Sequence, residues 1–107
     1  VVALMLKEFD RFRKKGVSAA ELDNAKEQLK GGMLLGLETS DNRMSKLARD
    51  EIYFNRFVPV KDIVKGIDIV TREDIRSLAE TLFVPEKMTL VAIGKVSAEQ
   101  LPEGLFS

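Results

Sequence analysis

The sequence contains no histidine and no cysteine, and these two absences exclude most catalytic chemistry at once. Without imidazole or thiolate ligands, a zinc ion would have only carboxylates, which suit calcium or magnesium better. A serine or cysteine nucleophile activated by histidine is excluded as well. The lack of cysteine also rules out disulfides and leaves the redox compartment undecided. We therefore expect the chain by itself not to be an enzyme, and we assign it no catalytic, metal-binding or cofactor-binding residue.

Excess charge of one sign and long apolar runs are missing too. The 17 basic residues balance the 17 acidic ones, so nothing indicates a nucleic-acid partner or binding to an anionic membrane surface. No apolar run reaches the length of a membrane span, and no signal-peptide pattern opens the chain. Because Val1 lies inside an amphipathic pattern already under way, we expect residues 1–107 to be a single partial domain of a larger protein.

The sequence is rich in helical periodicity, which predicts about five helices. Gly16 is predicted to end the first helix in a left-handed cap, and Ser18 with Glu21 forms a capping box that starts the second. The run TSDN, residues 39 to 42, predicts a break and a restart, and the third helix ends near Asn55. Pro59 opens a short helix, and the segment from Thr71 to Phe83 gives the clearest helix of all. The positions expected inside the third helix are Met44, Leu47, Ala48 and Ile52.

One segment near the carboxyl end has a different pattern. MTLVAIG, residues 88 to 94, is rich in β-formers and predicts a buried strand. No second strand of similar quality exists, so its backbone partners must come from another copy or from a missing part of the protein. The expected fold class is α+β, and the isolated chain is expected to self-associate as a dimer through residues 88–94. The tail from Ser97 to Ser107 is expected to wrap the surface.

Two adjacent glycines, Gly31 and Gly32, interrupt the second helix and raise the question of a phosphate-binding loop. Such a loop needs glycines ahead of a Lys-Ser/Thr pair at a helix start, whereas Lys30 precedes these glycines and no strand leads in. The alternative is a thinned helix face, with Gly36, on which another element packs closely. That interpretation predicts that a bulky side chain at Gly31 or Gly32 destabilises the fold by overpacking.

Few polar residues form a pattern that suggests a site. Asp50 and Glu51 are adjacent, so on a helix they point in different directions and are expected to lie on a solvated face. Arg49, Tyr53 and Arg56 could bind a peptide carboxylate, but long stems on the core with heads in water are commoner. The apolar residues Met33, Met44 and Phe54 are expected to fill the core. Arg43, beside the TSDN break, is expected to act as a helix cap or an ion-pair partner.

The order of the elements is more specific than any single motif. The stretch ELDNAKEQLKGGMLLGLETSDNRMSKLARDEI, a short PVKDI helix, IDIVTREDIRSLAETLF and MTLVAIG follow one another. This succession resembles the insulinase/pitrilysin-type zinc metallopeptidases, and in particular the branch of bacterial processing proteases and mitochondrial processing peptidase. The resemblance runs from about residue 1 to residue 105.

The resemblance implies a parent built as two similar α/β halves, with this chain as part of a two-layer half-domain. Zinc would be bound in the first half by a His-x-x-Glu-His motif, none of which this chain contains. The chain would be a segment of the second, non-catalytic half, with the missing amino-terminal part as its partner. The parent would be a zinc endopeptidase that encloses peptide substrates, in the cytoplasm of a bacterium or the mitochondrial matrix of a eukaryote. Two alternatives stay open: an inactive relative, such as a respiratory-complex core or partner subunit, and an independent helical interaction module.

Overall fold

The computed structural model describes residues 1–101 and 104, and every regular element in this part of the chain is helical. The five predicted helices are all present, and two short 3₁₀ turns follow them. Their bounds are α1 Val2–Lys15, α2 Ala19–Gly36, α3 Ser40–Phe54, α4 Val60–Asp68 and α5 Arg72–Leu82, then Pro85–Lys87 and Ala98–Gln100. Within the described residues, no helix combines the length and apolarity that crossing a membrane requires.

The chain divides into two compact units. The first consists of Val1–Val17 together with Arg72–Ser107, and the second consists of Ser18–Thr71. The first unit therefore contains α1 and α5, which are far apart in the sequence. The second contains α2, α3 and α4, which follow one another along the chain.

Aromatic stacking joins α1 to the end of α5 in the first unit. The ring of Phe83 stacks on that of Phe9 with centroids 4.5 Å apart, and Phe12 meets it edge-on at 6.4 Å. Ala79, one turn earlier on α5, is the one buried apolar residue among those described. Phe9 and Phe12 are three residues apart in α1 and so lie on the same side of the helix, where both can contact the Phe83 ring.

Gly16 ends α1 as predicted, but not in the left-handed helical conformation. Its φ is +67° and its ψ is −147°, which lies outside that region although φ is still positive. Its backbone N–H donates to the carbonyl of Phe12, and a Cβ at this position would lie 3.4 Å from the Cβ of Arg76. Nearby, Arg72 Nε donates to the carbonyl of Val17 at 2.7 Å. Glycine is required here by both its φ and the close approach of α5.

The capping box that begins α2 is confirmed. Ser18 Oγ accepts from the backbone N–H of Glu21 at 3.1 Å, and the Glu21 carboxylate accepts from the N–H of Ser18 at 2.9 Å. α2 then runs unbroken through Gly31 and Gly32. The helix restart is confirmed as well, since Thr39 Oγ1 accepts from the N–H of Asn42 at 3.3 Å at the start of α3.

Two lysines of α2 hold the carboxyl end of α4. Lys26 Nζ donates to the backbone carbonyl of Asp68 at 2.9 Å, and Lys30 Nζ lies 2.8 Å from the Asp68 carboxylate. Lys30 also pairs with Glu27 at 2.7 Å. The bond to Asp68, followed by that to Glu27, raises the pKa of Lys30 to about 12.

The predicted α+β class is wrong, because residues 88–94 do not form a strand and the described chain is all helical. Met88 has extended dihedral angles, φ −102° and ψ 139°, so the tendency toward extended backbone is present. A strand also needs a hydrogen-bonded neighbour, and the described residues offer none. The segment instead lies largely in water, with Val91 75% and Ile93 95% exposed.

The apolar stripe predicted to be the inside of α3 is exposed. Met44 is 65% exposed and Ile52 76%, so Met44 is not the core filler expected from its spacing. Phe54, at the end of the same helix, is 62% exposed and was wrongly predicted as well, whereas Met33 on α2 is half-buried. Periodicity identified the apolar face correctly, but no described element covers it.

The expected close packing over the glycines of α2 is likewise absent from the described structure. A Cβ built on Gly31, Gly32 or Gly36 would have no neighbouring atom within 4 Å. The overpacking argument therefore fails for this chain, because there is open space where a neighbour was expected. The predicted surface path of the tail lies mostly outside the described residues, although the Ser97–Gln100 capping box that begins it is present.

Candidate functional site

The connection between α3 and α4 is built around one buried carboxylate. Asp50 is 6% exposed and is the one buried charged residue among those described. Its Oδ2 accepts from Lys46 Nζ, one helical turn earlier, and from the backbone N–H of Val58 at 3.1 Å. Lys46 Nζ also donates to the Val58 carbonyl at 2.6 Å and lies 4.9 Å from the centre of the Phe57 ring. We call these four residues the Lys46–Asp50 cluster.

The chemistry of this cluster is structural. The hydrogen bond from Lys46, aided by that from Val58, holds the pKa of Asp50 below its ordinary value despite burial. Asp50 is therefore ionised near neutral pH, and Lys46 already donates to two oxygens. A general acid or base must be able to exchange a proton with a substrate. This pair instead fixes both backbone polar groups of Val58 and so positions the turn into α4.

Sequence reasoning missed Asp50, which was wrongly placed on a solvated face, whereas its neighbour Glu51 is exposed as expected. The available signal was Lys46, four residues before Asp50, since residues at that spacing lie side by side on a helix. The second partner, the N–H of Val58, lies beyond the end of α3 and cannot be found from helical spacing.

A pocket of about 570 Å³ opens beside this cluster within the second unit. Both apolar and polar residues of α2, α3 and α4 line this pocket. The lining residues are Met33, Gly36, Leu37, Asn42, Lys46, Arg49, Asp50, Tyr53, Phe54 and Ile63. The pocket can hold an apolar group, but it contains no pair of side chains arranged for acid–base or nucleophilic catalysis.

The structure brings only part of the Arg-Tyr-Arg cluster together. Arg49 and Tyr53 line the pocket, whereas Arg56 is not among the lining residues. Arg49 Nε lies 3.4 Å from the carbonyl of Ser45, and Arg56 donates to the carbonyl of Phe57 at 3.3 Å. Each guanidinium thus has a partner in its own segment, and the arrangement is not a built carboxylate site.

Arg43 was predicted to be either a helix cap or an ion-pair partner, and the structure shows that it caps a helix. Its Nε donates to the carbonyl of Leu37 at 2.7 Å, and Asn42 Nδ2 donates to the carbonyl of Gly36 at 2.6 Å. Both bonds satisfy carbonyl groups at the end of α2, which have no partner inside the helix. The polar residues that follow the TSDN break therefore hold the α2–α3 turn.

The donor set of this chain does not fit a catalytic zinc ion. Imidazole and thiolate are absent from the sequence. Among the described residues, no group of three or more acidic side chains is placed to hold a metal ion. A catalytic zinc normally has three protein ligands, most often including histidine. No step of zinc chemistry can therefore be assigned to residues of this chain.

The sequence is similar to several zinc proteases. It is 33% identical over 90 residues to the uncharacterized zinc protease of Mycobacterium tuberculosis strain H37Rv, covering 84% of this chain and 20% of that protein. It is 30% identical over 74 residues to an uncharacterized zinc protease of Bacillus subtilis, covering 69% and 18%. It is 28% identical over 97 residues to mitochondrial-processing peptidase subunit beta of Saccharomyces cerevisiae, covering 91% and 21%. No family model matches the chain.

The chain belongs to the insulinase-type family of zinc metallopeptidases. It spans about a fifth of the length of the relatives named above. The bacterial relatives are named zinc proteases, so zinc is a property of the family, whereas this sequence contains neither histidine nor cysteine and its described residues include no group of side chains placed to hold a metal ion.

Proposed function

We propose that this chain is a non-catalytic segment of a zinc endopeptidase subunit, where it contributes helical structure around an enclosed peptide substrate. The observation that carries the proposal is the match of most of the chain to about a fifth of proteins named zinc protease or processing peptidase. The zinc ligands would lie in another part of the longer protein, since this part has neither histidine nor cysteine.

The exposed apolar surface on α2 and α3 supports the idea that this chain is part of a longer protein. Large exposed apolar surfaces mark places where a protein contacts another surface. Each of the following side chains is between 54% and 76% exposed: Leu29, Leu34, Leu35, Met44, Leu47, Ile52 and Phe54. A further segment of the same protein packed on these helices would remove that surface from water.

The proposal is tested first on the chain itself. We expect the purified chain to retain no stoichiometric zinc after dialysis and to leave casein and fluorogenic peptides uncleaved. Activity that disappears when a chelator is added would overturn the non-catalytic assignment. Zinc bound in a one-to-one ratio would overturn the expectation that the ligands lie elsewhere.

The gene that encodes the chain gives the second test. A His-x-x-Glu-His motif upstream in the same reading frame would support an active peptidase. An upstream region that is related but lacks this motif would instead identify an inactive relative. A reading frame that starts near Val1 would favour an independent helical module and overturn the proposal.

A further inference from the structure

The third helix, α3, turns a polar face rather than an apolar one toward the rest of its unit. Of its 15 residues, Lys46 and Asp50 are the two that are not exposed. An amphipathic helix of a globular protein normally does the opposite and buries its apolar face. The polar bonds along α3 explain this reversed orientation.

Four polar side chains share one face of α3, and we call them the polar seam: Asn42, Arg43, Lys46 and Asp50. Each forms a hydrogen bond with a backbone group outside α3, at distances between 2.6 and 3.1 Å. At about 3.6 residues per turn, the four positions lie within roughly 100° of one another around the helix axis. All of these bonds therefore hold the same side of α3.

Three apolar residues lie on the opposite side of the helix, and we call them the outer stripe: Met44, Ala48 and Ile52. Each of them stands two residues from Lys46 or Asp50, which is roughly 160° around the helix axis. Met44 is 65% and Ile52 76% exposed, and Ala48 is exposed as well. The polar seam and the outer stripe thus point in nearly opposite directions.

The space beside the polar seam would suit apolar side chains. The pocket of about 570 Å³ at the Lys46–Asp50 cluster is lined by Met33 of α2 and Ile63 of α4, among others. Turning α3 about its axis would bring the outer stripe into this pocket, and removing apolar surface from water is favourable. The same turn would break the bonds of the seam and leave backbone groups without their partners, which is costly. These two terms oppose each other.

We propose that the polar seam is an orientation lock, which holds α3 with its outer stripe turned away from this pocket. Hydrogen bonds are directional, so they select one rotation of the helix, whereas the attraction between apolar surfaces is non-directional. Buried ion pairs and polar groups that specify one arrangement, rather than add stability, are known in other helical proteins. The lock acts within the chain itself, so it does not depend on the proposed function or on what covers the outer stripe in the longer protein.

The first experiment removes the seam while preserving the helix. The seam variant carries three substitutions by glutamine, which favours helix and water but has no charge to pair: Arg43→Gln, Lys46→Gln and Asp50→Gln. The matched control variant carries the same new residue at three exposed positions of α3: Asp41→Gln, Ser45→Gln and Glu51→Gln. We expect circular dichroism to show the helix content of the natural chain in both variants.

A single thiol then reports where the outer stripe lies, because the natural sequence contains no cysteine. Ala48→Cys is introduced into the natural chain, the seam variant and the control variant, and its rate of alkylation is measured. The rate should fall roughly tenfold in the seam variant, because a buried thiol reacts only when its surroundings open, and should not change in the control variant. Ile93→Cys, at a position 95% exposed in the other unit, corrects for differences in reactivity unrelated to α3.

Methionine oxidation gives a second measurement without an added probe. Met44 is 65% exposed and Met33 is half-buried, so peroxide should oxidise Met44 faster in the natural chain. In the seam variant the oxidation of Met44 should slow along with the alkylation of the thiol. Both rates are measured at several protein concentrations, because burial between copies would depend on concentration and burial within the chain would not.

Three results would overturn the proposal. The first is a seam variant that keeps its helix content while Ala48→Cys reacts as fast as in the natural chain, since the seam would then not set the orientation. The second is a seam variant that loses helix content, since the seam would then hold α3 folded rather than orient it. The third is equal slowing of the thiol in the seam and control variants.

Discussion

Replacing the glycines in the middle of α2 by alanine should stabilise the chain. Gly31 and Gly32 lie inside Ala19–Gly36, and a Cβ on either would meet no atom within 4 Å. Alanine is favoured over glycine in a helix interior by about 0.8–1.0 kcal/mol, and no steric term opposes that gain here. Each single substitution should therefore add about 1 kcal/mol to the free energy of unfolding, a rise in Tm of roughly 4–8 °C for a domain of this size.

The same substitution at Gly16 provides a control with the opposite sign. Gly16 has φ of +67° and a Cβ there would approach Arg76, so Gly16→Ala should destabilise by roughly 1–3 kcal/mol. Thermal and urea unfolding followed by circular dichroism at low protein concentration would measure all three variants. Lowered stability in both Gly31→Ala and Gly32→Ala would refute the argument, because it would mean that a close neighbour covers this helix face.

Three further changes test the local interactions. Asp50→Asn should lower Tm at neutral pH. Because the pKa of Asp50 is depressed in the folded chain, the difference in Tm between the variant and the natural chain should shrink as pH falls below the ordinary pKa of 3.8. A Tm difference that persists in acid would contradict the ion pair. Phe83→Ala should cost about 2 kcal/mol since it removes the ring stacked on Phe9, whereas Phe54→Ala, at an exposed position, should change the free energy of unfolding by less than about 0.5 kcal/mol. Ser18→Ala should cost about 1 kcal/mol by removing the cap of α2, and an unchanged urea midpoint would argue against that cap.

Helix ends were predictable because the groups that determine them are close in sequence. The Ser18 capping box joins residues three positions apart, and the Thr39 cap does the same at the start of α3. Asn55 ends α3 in the left-handed conformation, with φ of 53° and ψ of 30°, as its side chain tolerates. The family resemblance was also correct, and it came from the order of these elements along the chain.

The burial of side chains could not be predicted in the same way, because it depends on partners distant in sequence. Periodicity predicted that Met44 and Ile52 face a core, yet both are mostly exposed. Asp50 shows the reverse, since adjacency to Glu51 suggested solvent while the N–H of Val58 draws its carboxylate inside. The strand at 88–94 failed for a related reason, because an extended segment becomes a strand only when a second one pairs with it.

The contacts that hold α3 differ in kind from those that usually stabilise a surface helix. Its inward side chains are Lys46 and Asp50, and its apolar stripe is open to water. Caps and ion pairs of this kind contribute about 1 kcal/mol each, whereas burial of apolar surface is the main term that offsets the loss of chain entropy. Local polar bonds therefore determine where α3 begins and ends and how the chain turns into α4. Most of the stabilisation that α3 could gain would come from another surface that buries Met44 and Ile52. The stability of this segment should accordingly depend more on what packs against it than on any further improvement of its own helices.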